Sequence, residues 1–216
     1  MLNREEIIKD IENKKIIVIM RGFTDEQLLK SVEAMANGGI GLVEITFDPS
    51  GTVSNEQIAK SIRMLKDHFN DRVRIGAGTV MTEEQVQLAY EAGAEYIISP
   101  DCYEPVIRKT RELGMVSMPG CFTPTEAANA HRYGADFVKL FPNSEVNISY
   151  LKALTVPLSH IKFLAVGGVN ANNMKEYLNA GVKGIGVATA IADKAAIASG
   201  DYRKITELAR KFTEQL

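Results

Sequence analysis

Residues 16–46, IIVIMRGFTDEQLLKSVEAMANGGIGLVEIT, hold a short apolar run, an amphipathic stretch and a second apolar run. IIVIM (16–20) has the length and branched side chains of a strand buried on both faces. In DEQLLKSVEAMANGG (25–39), Leu28, Val32 and Met35 recur at helical spacing, and Gly38 can end the helix. GLVEIT (41–46) is the next strand. The same alternation runs along the chain, through VRIGAG (73–78), YIIS (96–99), GMVSMP (114–119), DFVKLF (136–141), IKFLAV (161–166) and GIGVA (184–188). That makes eight strands. The segments TEEQVQLAYEAG (82–93), TPTEAANAHRYG (123–134) and NANNMKEYLNAG (170–181) each open with a capping residue and close in Gly, as helices do.

Strict alternation of strand and helix implies a parallel sheet covered by helices. Divided among eight units, 216 residues leave 27 each, enough for a compact (β/α)8 TIM barrel. A leading helix, REEIIKDIEN (4–13), is expected to cover the bottom of that barrel. The rival, an open doubly wound sheet, usually carries GxGxxG after its first strand, where this chain has Arg21-Gly22-Phe23-Thr24. No Pro- or Ser-rich linker interrupts the pattern, so residues 1–216 are expected to form one domain. Lys and Arg total 25 against 27 Asp and Glu, a net charge of -2 that argues against a dedicated nucleic-acid binder. The longest apolar stretch is 16–20, far short of a membrane span. The opening MLNREEIIKD mixes acids and bases where a secretory signal needs an apolar segment. Two cysteines, Cys102 and Cys121, are too few for a disulfide framework. The expectation is a soluble cytoplasmic protein.

Two strands carry charges where a parallel sheet should be dry. Glu44 interrupts Leu42-Val43-Glu44-Ile45, and Lys139 interrupts Phe137-Val138-Lys139-Leu140-Phe141. An ion inside an apolar barrel costs several kcal/mol unless it is paired or its pKa moves. A desolvated Lys loses its proton more easily and becomes a usable amine nucleophile, and a nearby Glu can take up and return protons. The pair therefore suits Schiff-base chemistry on a carbonyl substrate. A structural ion pair inside the barrel, or an exposed edge strand with a solubilising Lys, fits the same pattern.

The unusual residues gather just after the strands: Arg21, Thr46, Gly78-Thr79, Ser99-Pro100, Pro119-Gly120, Pro142, Gly167-Gly168 and Ala188-Thr189. In a parallel barrel these positions share one rim, where active sites are built. Gly167-Gly168-Val169-Asn170 is expected to open a helix directly, offering backbone N–H groups to a phosphate or carboxylate.

Taken together, Glu44 within VEIT, GAGTV (76–80), ISP (98–100), MPG (118–120), KLFP (139–142) and GGV (167–169) resemble the 2-keto-3-deoxy-6-phosphogluconate (KDPG) aldolases. That family includes 4-hydroxy-2-oxoglutarate aldolases and 6-phosphogalactonate relatives. The six motifs run in order and in register from Arg21 to Thr189. The resemblance implies a class I aldolase on a (β/α)8 barrel, a homotrimer with no cofactor and no metal. It implies Lys139 as the Schiff-base lysine and Glu44 as the acid/base. Arg21 and Thr79 would bind the keto-acid carboxylate, and Pro119 and Gly120 would close on the pyruvyl end. Gly167, Gly168, Ala188 and Thr189 would cradle the phosphate. The implied reaction cleaves a 2-keto-3-deoxy sugar acid, foremost the 6-phosphogluconate, to pyruvate and glyceraldehyde 3-phosphate. A 4-hydroxy-2-oxoglutarate or 6-phosphogalactonate substrate is the alternative.

This chain departs from many relatives at the far end of the site. Ala165-Val166 replaces Pro-Thr, Ala188-Thr189 replaces Gly-Ser, and Phe47-Asp48-Pro49 stands where some carry an Arg. The altered rim keeps open a barrel that binds a sugar acid or phosphate without turnover. A decarboxylase or isomerase using the lysine differently is a further alternative. His68, His131 and His160 are expected on the surface, with no metal-site spacing. Cys121 is expected to pack rather than face the pocket, and Cys102 to be a helix-start or core thiol.

Overall fold

The computed structural model describes residues 3–216. Met1 and Leu2, part of the opening stretch read against a secretory signal and of the 1–216 domain span, lie outside the described residues.

The chain opens with α1 (Arg4–Lys14) and then alternates: β1 (Ile16–Met20), α2 (Asp25–Asn37), β2 (Leu42–Thr46), α3 (Asn55–Phe69), β3 (Arg74–Gly78), α4 (Glu83–Glu91), β4 (Tyr96–Ile98) and α5 (Glu104–Glu112). The second half runs β5 (Val116–Met118), β6 (Gly120–Cys121), α6 (Pro124–Tyr133), β7 (Val138–Leu140), a 3₁₀ turn (Asn143–Glu145), α7 (Ile148–Thr155), β8 (Phe163–Val166), α8 (Met174–Asn179), β9 (Gly184–Val187), α9 (Lys194–Ser199) and α10 (Tyr202–Thr213). All paired strands are parallel, in the order β5-β4-β3-β2-β1-β9-β8-β7-β6.

Nine strand segments replace the eight expected because Pro119 has no N–H to give and splits one strand into β5 and β6. Its carbonyl still accepts from Lys139 N at 2.9 Å, between the bonds Phe137 N to Ser117 O and Phe141 N to Cys121 O. β7 thus runs along β5 and β6, β5 pairs with β4 on its other side, and the ring closes into a parallel α/β barrel.

Period-two alternation sorts each strand. Ile16, Val18 and Met20, Val43 and Ile45, and Val138 and Leu140 pack outward in the large core beneath the helices. Ile17, Leu42, Tyr96, Ile98, Val116, Met118, Phe137, Leu164 and Val166 form the inner core, which α1 closes from below with Ile7 and Ile11. Glu44 and Lys139 fall on the inward face by the same alternation.

An ionic ring fixes α1 under the barrel. Arg74, the first residue of β3, donates to Glu95 at 2.8 Å, Asp10 at 2.7 Å and Glu6 at 2.9 Å. Asp136 takes Arg4 and Arg111, and Lys162 pairs with Glu12 at 3.0 Å. Glu95 is buried, and it also accepts from Ile75 N and pairs with Lys66. Removing one partner of a buried pair leaves its charge stranded. Arg74→Ala is therefore expected to lose about 3 kcal/mol in urea unfolding, a drop in Tm of roughly 6–12 °C for a chain this size.

Candidate active site

The candidate site gathers residues within or just after β1, β2, β3 and β7. Glu44 is the middle residue of β2, paired in register with Ile19 on β1 and Gly76 on β3. Lys139 is the middle residue of β7, paired with Gly120 and Leu164. Both are buried, Glu44 at 2% and Lys139 at 7% exposure. β3 makes room for the inward side chains by having none at two positions. A Cβ at position 78 would overlap the Glu44 carboxyl, and one at position 76 would overlap the Tyr96 ring. Tyr96 fills the layer below, its hydroxyl donating to Val43 O at 2.7 Å.

Electrostatics at the pair are governed by burial. Desolvation raises the Glu44 pKa against the pull of Lys139 and Arg21. Desolvation also lowers that of Lys139, helped by the positive field of Arg21 and opposed by Glu44. Each group is thus pushed toward its neutral form, the state in which an amine attacks a carbonyl. The Lys139 Nζ lies 4.5 Å from the Phe141 ring centroid.

Arg21 and Thr79 meet, with Arg21 Nη2 donating to Thr79 Oγ1 at 2.9 Å. Thr79 holds φ at +55°, a strained conformation for a β-branched residue and one found at functional loops. Pro119 and Gly120 lie one strand over from Lys139, bonded to it through Pro119 O. Arg21, Gly167, Gly168, Ala188 and Thr189 line one cavity of about 580 Å³, with Phe141 on its wall. Glu44, Lys139 and Thr79 are not on its lining and connect to it through Arg21 and Phe141. A larger cavity, about 680 Å³, lies on the other side of Arg21 between α2 and α3, where Asp25 and Asp48 contribute carboxylates. Asp48 organises its own loop by accepting from Ser50 N and Val53 N.

One expectation fails at the rim. Gly167-Gly168-Val169-Asn170 does not open a helix, because a turn intervenes and α8 begins only at Met174. The Asn173 side chain accepts from Asn170 N at 2.8 Å and donates to Gly168 O at 3.0 Å, competing with helical backbone bonds. The two glycines are required for another reason: their φ values are +104° and +71°, and a side chain on Gly167 would meet the backbone of Asn143 and Ser144, one on Gly168 that of Ser144. Val166 turns inward onto Gly186 and lines the cavity, as its position in the motif suggested. The three histidines are exposed, with His131 and His160 ring to ring at 4.9 Å. Cys121 is packed in the outer core, and half-buried Cys102 donates weakly to Glu126 O. Sequence reasoning missed Tyr96, and it missed Lys194 on the cavity wall.

The comparisons with known proteins agree with this geometry. A family model described as "Aldolase: KDPG and KHG aldolase" matches residues 7–208. The 2-dehydro-3-deoxy-6-phosphogalactonate aldolase of Escherichia coli K12 is 37% identical over 175 residues, 81% of this chain and 82% of that protein. A solved structure described as native KDPGal superposes with TM-score 0.78 at 34% identity, covering 93% of this chain and 96% of that one. The KDPG aldolase of Legionella pneumophila, solved with pyruvate captured as a covalent carbinolamine, gives TM-score 0.82 at 29% identity, covering 92% and 93%. The barrel and these relatives make the protein an aldolase, an enzyme of the lyase class. It belongs to the KDPG and KHG aldolase family.

Two outcomes follow from the geometry of Glu44. Gly78→Ala must displace the carboxyl, so turnover should fall toward that of Glu44→Gln while the circular dichroism spectrum stays native. The second concerns stability. A carboxyl whose folded pKa is raised binds its proton more tightly in the folded state, so stability is lost as pH rises from its unfolded value, about 4.5, through the folded one. Glu44→Gln should unfold at a higher temperature than wild type at pH 7, and the gap should close below pH 4.5. An equal or wider gap in acid would show that burial does not dominate at Glu44.

Proposed function

We propose that this enzyme is a class I aldolase that cleaves a 2-keto-3-deoxy-6-phospho sugar acid through a Schiff base on Lys139. The observation that carries the proposal is a buried lysine, held toward its neutral form, in the same barrel mouth as a buried glutamate held toward its protonated form. In the proposed reaction the Lys139 amine attacks the C2 carbonyl, and loss of water gives a protonated imine. The imine accepts the electron pair of the C3–C4 bond as it breaks. Glu44 gives its proton to the departing water and is left as the carboxylate, which takes the C4 hydroxyl proton as glyceraldehyde 3-phosphate leaves. Protonation of the enamine at C3 and hydrolysis then release pyruvate and restore the lysine. Arg21 and Thr79 receive the substrate carboxylate, Pro119 and Gly120 bound the pyruvyl end, and Gly167, Gly168, Ala188 and Thr189 surround the distal phosphate. The reaction needs no cofactor or metal. One barrel domain over 1–216, a homotrimer in the cytoplasm, completes the reading, and light scattering at three times 23.7 kDa would support the trimer.

The sequence motifs favour the gluconate substrate. The galactonate epimer, which differs at C4 and yields the same two products, is a second reading favoured by the 37% identical relative of that name. Comparing kcat/KM for the two epimers separates them.

Borohydride reduction in the presence of pyruvate tests the chemistry. The reduced adduct should appear on the peptide containing Lys139. Lys162 is the control, since it sits at the opposite end of the barrel against Glu12. No adduct would favour a barrel that binds without turnover, and an adduct at Lys162 would reject the assignment. Lys139→Arg should abolish turnover in a folded protein, since Arg cannot form the imine. Glu44→Gln should lower kcat by about 10² to 10⁴.

A further inference from the structure

One charged group on the wall of the 580 Å³ cavity has no task in the reaction just described. Lys194, the first residue of α9, lines that cavity together with Gly167, Gly168 and Thr189. The cavity lining contains no Asp or Glu, and its two charged side chains are Arg21 and Lys194. Arg21 is engaged with Thr79 and lends its field to Glu44 and Lys139. The acid next to Lys194 in sequence is already used. Asp193 accepts from Ala196 N at 2.9 Å with one oxygen and pairs with Lys204 at 3.0 Å with the other. Lys194 therefore brings an uncompensated positive charge to the wall, whereas the larger neighbouring cavity carries the carboxylates of Asp25 and Asp48.

The same wall is less suited to an anion than its motif suggests. The turn at Asn170–Asn173 removes the helix terminus expected beside Gly167-Gly168, and Val166 and Ala188 present methyl groups to the cavity. We infer that Lys194 is a specificity-determining residue, the cation that recognises the distal phosphate of the substrate. The inference rests on the aldolase reading above and adds to it the group that distinguishes phosphorylated from unphosphorylated sugar acids. A lysine ammonium acts there as a point charge on a flexible stem, not as a rigid fork, so it recognises charge more than shape. Preference for the phosphorylated substrate then depends on ionic strength, because an exposed charge is screened by salt.

The test is the specificity ratio, kcat/KM for the 6-phosphorylated 2-keto-3-deoxy acid over that for the same acid without phosphate. It is measured in wild type, Lys194→Ala, Lys194→Arg and Lys194→Glu, using the epimer that wild type cleaves faster. The ratio should fall about five- to tenfold in Lys194→Ala, carried by KM, and further in Lys194→Glu, while Lys194→Arg keeps most of it. Raising the salt from about 0.01 M to about 1 M should shrink the ratio in wild type and leave that of Lys194→Ala nearly flat. An unchanged ratio in Lys194→Ala, or an equal loss on both substrates, overturns the assignment. Pyruvate trapping at Lys139, run on each variant, separates the two readings. Intact trapping with an unchanged ratio rejects Lys194 alone, and absent trapping in wild type rejects the aldolase reading and this one with it.

Discussion

Burial of two opposite charges inside one barrel is the constraint on which the rest of the structure depends. Glu44 and Lys139 attract each other, which favours ionisation, and both are desolvated, which opposes it; burial wins at both. The outcome requires a barrel mouth narrow enough to keep water from the pair. It also requires strands that admit two long side chains where the neighbouring positions are filled. β3 provides the space with glycine at two inward positions, one taken by the Glu44 carboxyl and one by the Tyr96 ring. The stability sacrificed at Glu44 and Lys139 is offset elsewhere in the fold.

Much of that offset lies at the other end. Ile7 and Ile11 of α1 complete the inner core, and the Arg74 cluster holds the helix against the barrel bottom. The two ends handle charge in opposite ways. At the bottom Glu12 and Glu95 each meet a guanidinium or ammonium within 4 Å, and the pairs tie helix and barrel together. At the top Glu44 and Lys139 are buried with their charges poorly supported, and in the proposed reaction they are the groups that act.

That contrast shows how far the sequence can be read. The alternation of branched apolar runs with capped amphipathic segments gives the barrel, and an inward charge in the middle of a strand marks Glu44 and Lys139. The same rule applied to VRIGAG would have flagged Arg74. Its position as the first residue of its strand places it at the bottom, among acids of α1 that are about 65 residues away in sequence. Pro119 is visible in the sequence, but that it interrupts a strand without opening the ring depends on carbonyls that a sequence does not display. The asparagines of NANN (170–173) look like caps, and one does hold a turn, yet its two side-chain bonds delay the helix rather than start it. Lys194 carries no motif at all. Only the path of the chain from β9 to α9 brings it to the cavity that Gly167 and Gly168 also line.

The central claim is that burial, not a hydrogen bond or a metal, makes Lys139 a nucleophile. It is tested most directly by the pH dependence of imine formation with pyruvate, trapped at Lys139 in wild type and in Glu44→Gln. The account requires the wild-type titration to fall below the ordinary lysine value of 10.5. It requires a lower value still in Glu44→Gln, because the carboxylate that holds the proton on Lys139 is gone. A titration at or above 10.5, or an upward shift on removing Glu44, would contradict it.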